Sequence, residues 1–278
     1  MNFVERLARA ERANDSLLCV GLDPDPARFP TGLTDDPRRI FEFLAAIVDA
    51  TKDLAIAFKP QIAYFAAHRA EDQLERLIAF IHEVAPDVPV ILDAKRGDIG
   101  RTAEQYAAEA FERYRADALT LSPFMGFDSI EPYLRYADKG LFLLCRTSNP
   151  GGADLQAQTL AGGERLFEHI ARLAAGPWNT SGQLGLVVGA TFPAELTRVR
   201  ELAPRLPLLV PGVGTQGGDA QTTVRCAGLP LAGGASAPLV VNSSRAILYA
   251  SGGTDYAAAA RLAARSTRDT LNRARRAT

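Results

Sequence analysis

The first indication of the fold is the stretch at residues 17–26, which reads LLCVGLDPDP. It begins with a continuous apolar run, which is typical of a strand buried on both faces of a parallel sheet. It ends in an Asp-Pro turn and lacks the G-x-G-x-x-G turn that usually follows the first strand of a doubly wound sheet. The stretch therefore favours a closed parallel barrel over its competitor, an open doubly wound sheet.

Seven further apolar runs follow at intervals of roughly 30 residues, the length of a strand–helix–strand unit. They lie at residues 55–58, 90–92, 118–121, 141–145, 184–188, 208–210 and 239–241. Between them, apolar residues recur with helical spacing at residues 36–53, 71–84, 103–115, 129–137, 163–175, 193–203, 219–227 and 255–275. Eight strands, each followed by a helix, predict a (β/α)8 TIM barrel that occupies residues 1–278 as a single domain.

The composition is that of an ordinary globular protein, with 47% apolar and 23% charged residues. A formal net charge of −1 gives no indication of a nucleic-acid-binding surface. No apolar run reaches the roughly 18 residues needed to span a bilayer. Residues 1–12 alternate charged and apolar side chains and lack the apolar core of a signal peptide. We therefore expect a cytoplasmic protein without a membrane or nucleic-acid partner. The widely spaced Cys19, Cys145 and Cys226 predict reduced thiols and no metal site.

Polar residues follow the predicted strands, at the end of a TIM barrel where active sites form. Lysine is informative here because only four of the 31 basic residues are lysines. Two of these four, Lys59 and Lys95, follow apolar runs directly or within three residues. Since this chain otherwise uses arginine for its positive charge, a lysine at the barrel mouth predicts a chemical role, such as that of a proton donor.

The densest group of charged residues is at residues 92–99, which read LDAKRGDI. Side chains two residues apart on a strand share a face, so Asp93 and Lys95 should point together into the barrel mouth. Asp98 should return to the same place after the turn at Gly97. Two carboxylates around one ammonium would keep Lys95 protonated, which suits a general acid and not a Schiff-base lysine. The alternative interpretation is a structural cluster of ion pairs.

A phosphate site is predicted by the loops after strands seven and eight, where many barrels bind phosphate. The first loop, at residues 211–218, reads PGVGTQGG and contains Gln216. The second, at residues 242–245, reads NSSR and contains Ser244 and Arg245. Glycines let backbone N–H groups approach an anion, and arginine binds phosphate bidentately. The alternative is a glycine-rich turn next to a surface arginine.

Together these motifs resemble the orotidine 5′-phosphate decarboxylase family, in particular its longer bacterial subgroup. The sequence DAKRGDI at residues 93–99, with Thr102 after it, resembles the diagnostic motif of that family. The segments FKPQ at 58–61 and TSNPG at 147–151, together with the two loops after strands seven and eight, resemble its other conserved blocks. They occur in the order of the family, so the resemblance covers essentially the whole chain.

The resemblance implies decarboxylation of orotidine 5′-phosphate to UMP, without a metal or organic cofactor, by a homodimer with shared active sites. Lys95 would protonate the pyrimidine carbon left after CO₂ departs, and Asp93 would lie beside the substrate carboxylate. Asp98 and Thr102 would enter the site of the neighbouring subunit. The residues implied for catalysis are Lys59, Asp93, Lys95 and Asp98. Those implied for binding are Asp23 at the ribose, where Lys59 would also lie, Thr102, Ser148 at the pyrimidine, and Gln216, Ser244 and Arg245 at the phosphate.

Two other functions remain open at the level of sequence. One is a Mg²⁺-dependent sugar-phosphate decarboxylase of the same barrel superfamily, which has a similar Asp-x-Lys arrangement. The other is a non-catalytic barrel that binds a nucleotide. Sensitivity to EDTA distinguishes the first alternative, and binding of UMP without turnover distinguishes the second.

Overall fold

The computed structural model describes residues 1–212, 219–228 and 238–277 and contains one sheet of eight parallel strands. The strands are β1 Leu18–Leu22, β2 Ala57–Pro60, β3 Ile91–Arg96, β4 Ala118–Leu121, β5 Gly140–Arg146, β6 Leu184–Val188, β7 Leu208–Val210 and β8 Leu239–Ser243. Their spatial order is β2-β1-β8-β7-β6-β5-β4-β3. Single parallel bridges at Phe58–Val90 and Gln61–Asp93 join β2 to β3. The predicted TIM barrel is therefore confirmed.

Helices fill the connections between the strands. The α-helices are α1 Phe3–Asn14, α2 Ile40–Thr51, α3 Ile62–Ala66, α4 Glu71–Val84, α5 Gly100–Ala108, α6 Glu131–Leu134, α7 Leu166–Ala175, α8 Pro193–Leu202, α9 Ala220–Ala227, α10 Arg245–Leu248 and α11 Tyr256–Arg276. A π-helical turn, Glu109–Arg113, continues α5. Short 3₁₀ turns lie at Pro26–Arg28, Pro37–Arg39, Phe127–Ser129 and Pro150–Asp154. The helix predicted at 129–137 is shorter than expected, because only Glu131–Leu134 is α-helical.

Helix α1 was not predicted from the sequence, although it closes the N-terminal end of the barrel. Its Asn2 side chain accepts from the Glu5 N–H at 2.9 Å, and the Glu5 carboxylate accepts from the Asn2 N–H at 2.9 Å. This reciprocal capping box fixes the start of the helix. Phe3 packs edge-on against Phe142 of β5, with ring centroids 5.7 Å apart. A Cβ at Gly140 would clash with the Phe3 ring, so this contact requires a glycine there.

Inside the barrel, the inward residues form an apolar floor and a polar rim. The floor consists of α1 residues and of inward strand residues that pack together, among them Ala57, Ile91, Ala118 and Val240. Because side chains alternate along a strand, the next inward position lies two residues further on. Those positions are occupied by Lys59, Asp93, Thr120 and Asn242. The change from apolar to polar side chains at this level marks the C-terminal mouth as the place for a site.

The cysteines agree with the prediction of reduced thiols. Cys19 and Cys145 are free and buried, and Cys226 is free and half-buried. Burial raises the pKa of the Cys19 thiol to about 12, and burial also raises the pKa of Cys145. Neither buried thiol is a nucleophile at neutral pH, since the thiolate is the reactive form.

Candidate active site

A cavity of about 520 Å³ opens at the C-terminal mouth of the barrel. Lys59, Asp93, Lys95 and Ser148, all predicted from the sequence, line this cavity. Its inner wall is apolar and is formed in part by Leu144, Val187 and Leu209, which are inward residues of β5, β6 and β7. The cavity therefore combines charged groups on one side with an apolar surface on the other, as is usual for a small-molecule site.

The charged side of the cavity is a row of three side chains, with one carboxylate between two ammonium groups. Lys59 Nζ donates to Asp93 Oδ2 at 2.8 Å, and Lys95 Nζ donates to Asp93 Oδ1 at 2.7 Å. The Lys59 side chain is 6% exposed and the Lys95 side chain is 45% exposed. Lys59 is thus an internal counter-ion, whereas the Lys95 ammonium reaches accessible space.

Both buried members of this row are held in their charged forms. Burial by itself raises the pKa of Asp93, but the ammonium groups of Lys59 and Lys95 outweigh burial and hold that pKa well below its usual range. Burial by itself lowers the pKa of Lys59, but the carboxylates of Asp93 and Asp23 outweigh it and raise that pKa above its usual range. At neutral pH the row therefore carries a fixed negative charge between two positive charges.

Two details of the predicted charge cluster are wrong. The prediction placed Asp93 and Asp98 around Lys95, but the row has two lysines around Asp93. Asp98 Oδ1 accepts from the Ile99 N–H at 2.9 Å, and within the described residues no hydrogen bond or ion pair joins Asp98 to Lys95. The turn at Gly97 directs Asp98 toward the half-exposed segment before α5, which simple strand alternation could not indicate.

The second error concerns the strand itself. Asp93 and Lys95 do not share a face through regular alternation, because β3 is bulged and its register against β4 shifts between Leu92 and Arg96. Lys95 has φ = +47°, in the left-handed region that residues other than glycine rarely adopt. The two side chains meet because of this irregular backbone, which residue spacing alone does not predict.

Thr120 is a site residue that the sequence analysis missed. It lies on β4, is 1% exposed and lines the cavity. Its hydroxyl donates to Asp93 Oδ1 at 2.9 Å. A signal for it exists in the sequence, since Thr120 is two residues after the inward Ala118 and is therefore at the polar level of the barrel.

Asp23, predicted at the ribose, and Ser244, predicted at the phosphate, meet at the ends of β1 and β8. The Ser244 hydroxyl donates to Asp23 Oδ2. Tyr249 supports the same loop, because its hydroxyl donates to the Asp23 carbonyl at 2.9 Å and accepts from the Asp25 N–H at 2.7 Å. Asp23 Oδ1 is buried and has no hydrogen-bond partner among the residues that the structure describes. A carboxylate oxygen is thus available to accept a hydrogen bond from a ligand hydroxyl.

The loop that carries Ser148 is held by a buried arginine. Arg146 has a side chain that is 2% exposed, and its guanidinium pairs with Glu195 of α8. The same guanidinium donates to the Thr147 carbonyl at 3.0 Å. Gln156 Oε1 accepts from the Thr147 N–H at 2.8 Å and fastens the far end of the loop. These contacts fix the backbone on which Ser148 faces the cavity.

Of the three remaining predicted residues, two are exposed and one lies outside the described residues. Arg245 begins α10 with an exposed side chain, and it forms no ion pair in the described part of the chain. Thr102 is exposed on α5. Gln216, with the rest of residues 213–218, lies outside the described residues. Two residues besides Gln216 were expected at the phosphate. Ser244 lies beside Asp23, and Arg245 follows Ser244 directly in the chain.

The described residues contain no group of three or more His, Cys, Asp and Glu side chains arranged to hold a metal ion. Within the same residues, no helix is long and apolar enough to cross a membrane.

The fold and the site together define a (β/α)8 barrel enzyme with a charged Lys-Asp-Lys site at the mouth of the barrel. Residues 16–262 match the orotidine 5′-phosphate decarboxylase / HUMPS family. The chain belongs to this family.

Relatives with known names support this assignment over the whole chain. An orotidine 5′-phosphate decarboxylase of Leptothrix cholodnii is 72% identical, with 99% of this chain and 98% of the relative covered. One of Methylibium petroleiphilum is 70% identical, with 99% and 100% covered. The solved structure of Leishmania donovani OMP decarboxylase is similar with a TM-score of 0.85 and 38% identity, and both chains are covered completely.

Proposed function

We propose that this protein converts orotidine 5′-phosphate to UMP and CO₂. The observation that carries the proposal is the Lys59–Asp93–Lys95 row at the mouth of a barrel of this family, with an accessible ammonium at its open end. In the reaction the bond between pyrimidine C6 and the carboxylate breaks, its electron pair remains on C6, and C6 then takes a proton. The atoms balance with one proton from the enzyme.

Lys95 is the residue placed to supply that proton. The Lys95 ammonium lies at the open end of the row, whereas the Lys59 ammonium is buried and donates its hydrogen bond to Asp93. A carbanion at C6 has no adjacent electron sink, so a fixed positive charge stabilises it as it forms. We further propose that this charge makes a metal or organic cofactor unnecessary.

Asp93 acts first through repulsion and then through orientation. Because it stays ionised, a substrate carboxylate placed beside it experiences a like charge, and this repulsion ends when neutral CO₂ forms. The same carboxylate directs the Lys95 ammonium through the 2.7 Å hydrogen bond. The phosphate is remote from C6, and its binding to Ser244, Arg245 and Gln216 offsets the unfavourable crowding of charges.

We propose that the active form is a homodimer in which Asp98 and Thr102 enter the neighbouring site. Three large apolar side chains are exposed near Asp98, namely Ile99 and, after β4, Phe124 and Met125. The two loops adjoin, since a Cβ at Gly97 would lie 3.2 Å from Ser122 Cβ. An exposed apolar group of this kind is typical of a protein–protein contact. In a dimer formed through it, Asp98, which does not contact the charged row of its own chain, would lie at the site of the second copy.

The experiment is the ultraviolet absorbance change when orotidine 5′-phosphate is added to the purified protein in EDTA, with Lys95→Ala as the comparison. We expect rapid turnover by the wild type, loss of turnover in the variant, and similar UMP binding by both. Absence of turnover of orotidine 5′-phosphate, together with decarboxylation of a sugar phosphate that EDTA abolishes and Mg²⁺ restores, would favour a metal-dependent sugar-phosphate decarboxylase. UMP binding without any turnover would favour a non-catalytic barrel, and full activity of Lys95→Ala would remove Lys95 from its role.

A further inference from the structure

Strand β3 contains a bulge at the position where the site is built. The strand pairs with β4 at Leu92–Leu119 and then at Arg96–Leu121. Asp93, Ala94 and Lys95 therefore face a single residue, Thr120, across the gap between these pairs. In a regular parallel ladder each backbone N–H has a carbonyl partner, and a bulge leaves some of these groups without one.

The side chain of Thr120 replaces the missing partners. Its Oγ1 accepts from the Ala94 N–H at 3.0 Å and from the Lys95 N–H at 2.9 Å. The same hydroxyl donates to Asp93 Oδ1 at 2.9 Å. A hydroxyl has one proton and two lone pairs, so these three bonds use its whole capacity. Because both lone pairs are occupied by N–H groups, the hydroxyl proton must point to Asp93 Oδ1, which accepts it.

This arrangement connects the backbone of Lys95 with its side chain. The left-handed conformation at Lys95 persists only where the surroundings hold it. The Lys95 ammonium bonds the same carboxylate oxygen, Asp93 Oδ1, that Thr120 bonds. The Thr120 hydroxyl therefore holds the backbone from which the Lys95 side chain extends, and it also holds the Asp93 carboxylate that the Lys95 ammonium bonds.

We propose that Thr120 is a positioning residue that aims the Lys95 ammonium at the reacting carbon. The inference rests on the proposed function, since it assigns Thr120 a part in the proton transfer by Lys95. Thr120 acts through Lys95 and Asp93, and its hydroxyl has no donor or acceptor left for a substrate. A purely structural role would make Thr120 matter for stability while leaving the turnover of the folded enzyme unchanged.

The test compares Thr120→Val, which keeps the shape and removes the hydroxyl, with Thr120→Ser, which keeps the hydroxyl. Thr51→Val is the matched control, because Thr51 is also fully buried and, among the described residues, its hydroxyl bonds only the Ile47 carbonyl within α2, at 2.8 Å. For each protein we would measure kcat and KM for orotidine 5′-phosphate, the Kd for UMP, and Tm.

We expect Thr120→Val to lower kcat about 100-fold, the effect of misplacing a catalytic group by about 1 Å. The KM and the Kd for UMP should change little, because the Thr120 hydroxyl bonds none of the residues proposed to bind the phosphate. Thr120→Ser should restore most of kcat, and Thr51→Val should leave kcat unchanged. If Thr120→Val does not fold, Thr120→Cys, which keeps a weaker donor and acceptor, should give a kcat between those of Thr120→Ser and Lys95→Ala.

Three results would overturn the inference while the wild type remains active. One is a wild-type kcat in Thr120→Val with only a lower Tm. Another is a loss of kcat in Thr120→Ser as large as in Thr120→Val, which would make the methyl group and not the hydroxyl important. The third is a wild-type kcat in Thr120→Cys. A wild type that does not turn over orotidine 5′-phosphate would instead refute the proposed function, and with it the role of Lys95 on which this inference depends.

Discussion

Replacing Asp93 with asparagine should make the protein both less stable and newly dependent on pH. In the wild type, Lys59 is 6% exposed and its ammonium bonds Asp93 at 2.8 Å. Asparagine keeps the shape but removes the charge, so the Lys59 ammonium is left buried without its main partner. Removing one partner of a buried ion pair costs about 3–5 kcal/mol of unfolding free energy. At roughly 2–4 °C of Tm for each kcal/mol, the expected fall in Tm is about 10 °C.

The pH dependence follows from the direction of the two wild-type pKa shifts. Asp93 has a lowered pKa in the folded protein. Its contribution to the free energy of unfolding is therefore fully present above the unfolded pKa of about 4 and is lost as the pH falls through the lower folded pKa. Lys59 has a raised pKa, so its contribution is present below the unfolded pKa of about 10.4 and is lost as the pH rises through the higher folded value. Between pH 6 and pH 9 the wild-type pair therefore contributes a constant stability.

In Asp93→Asn the direction of the Lys59 pKa shift should reverse. Burial favours the neutral amine, and with Asp93 neutral the carboxylate of Asp23 is the main group that still opposes this effect. The folded pKa should then fall below the unfolded one, so the unfolded state binds more protons and stability rises with pH. The slope reaches at most about 1.4 kcal/mol for each pH unit.

The assay is urea unfolding at pH 7, 8 and 9 for wild type, Asp93→Asn and Asp53→Asn. Asp53 is the matched control because it is also an ion-paired carboxylate, but its pair with Arg261 is exposed and remote from the site, and an exposed pair contributes at most about 1 kcal/mol. We expect a pH-dependent loss of stability in Asp93→Asn only. Equal stability of Asp93→Asn and wild type at all three pH values would refute the argument that Lys59 depends on Asp93 for its charge.

Two further predictions concern the assembly and the floor of the barrel. If Asp98 enters the neighbouring site, mixing equal amounts of inactive Lys95→Ala and inactive Asp98→Ala subunits should restore about a quarter of wild-type activity. Half of the dimers then contain one subunit of each kind, and each of these dimers has one intact site. A mixture that stays inactive under conditions of subunit exchange would contradict shared sites. Phe3→Ala should lower the unfolding free energy by about 3–5 kcal/mol, since it removes the buried ring that packs on Phe142 and Gly140; urea unfolding measures this, and an unchanged midpoint would show that α1 does not stabilise the barrel.

The sequence by itself determined the barrel and several of the side chains that line the cavity at its mouth. Continuous apolar runs alternating with amphipathic segments identify a parallel sheet covered by helices. The spacing between the runs is long enough for the helical crossover connections that parallel strands need. In such a barrel the ends of all strands meet at one mouth, so Lys59, Asp93, Lys95 and Ser148 could be assigned to one site from their positions in the chain alone. Motif resemblance then suggested their roles.

The boundaries were less predictable where polar residues continue a strand. β2 was predicted at 55–58 but is Ala57–Pro60, and β3 was predicted at 90–92 but is Ile91–Arg96. Hydropathy falls at the barrel mouth because the site needs charged groups, while the backbone pairing continues. Helix α1 was missed for a related reason, since its apolar face is buried only because the barrel has an open end to cover.

Only the tertiary structure decided which charges pair and how Lys95 is held. Sequence spacing placed Asp98 beside Lys95, but the ion pairs depend on distances across strands. Lys59 reaches Asp93 from β2, and the bulge in β3 brings Lys95 to the same carboxylate. The bulge in turn requires Thr120 from β4, a residue 25 positions away from Lys95. Residue type and local period determine which side chains face inward, whereas pairing between strands sets the register, the backbone conformation and therefore the charge of the site.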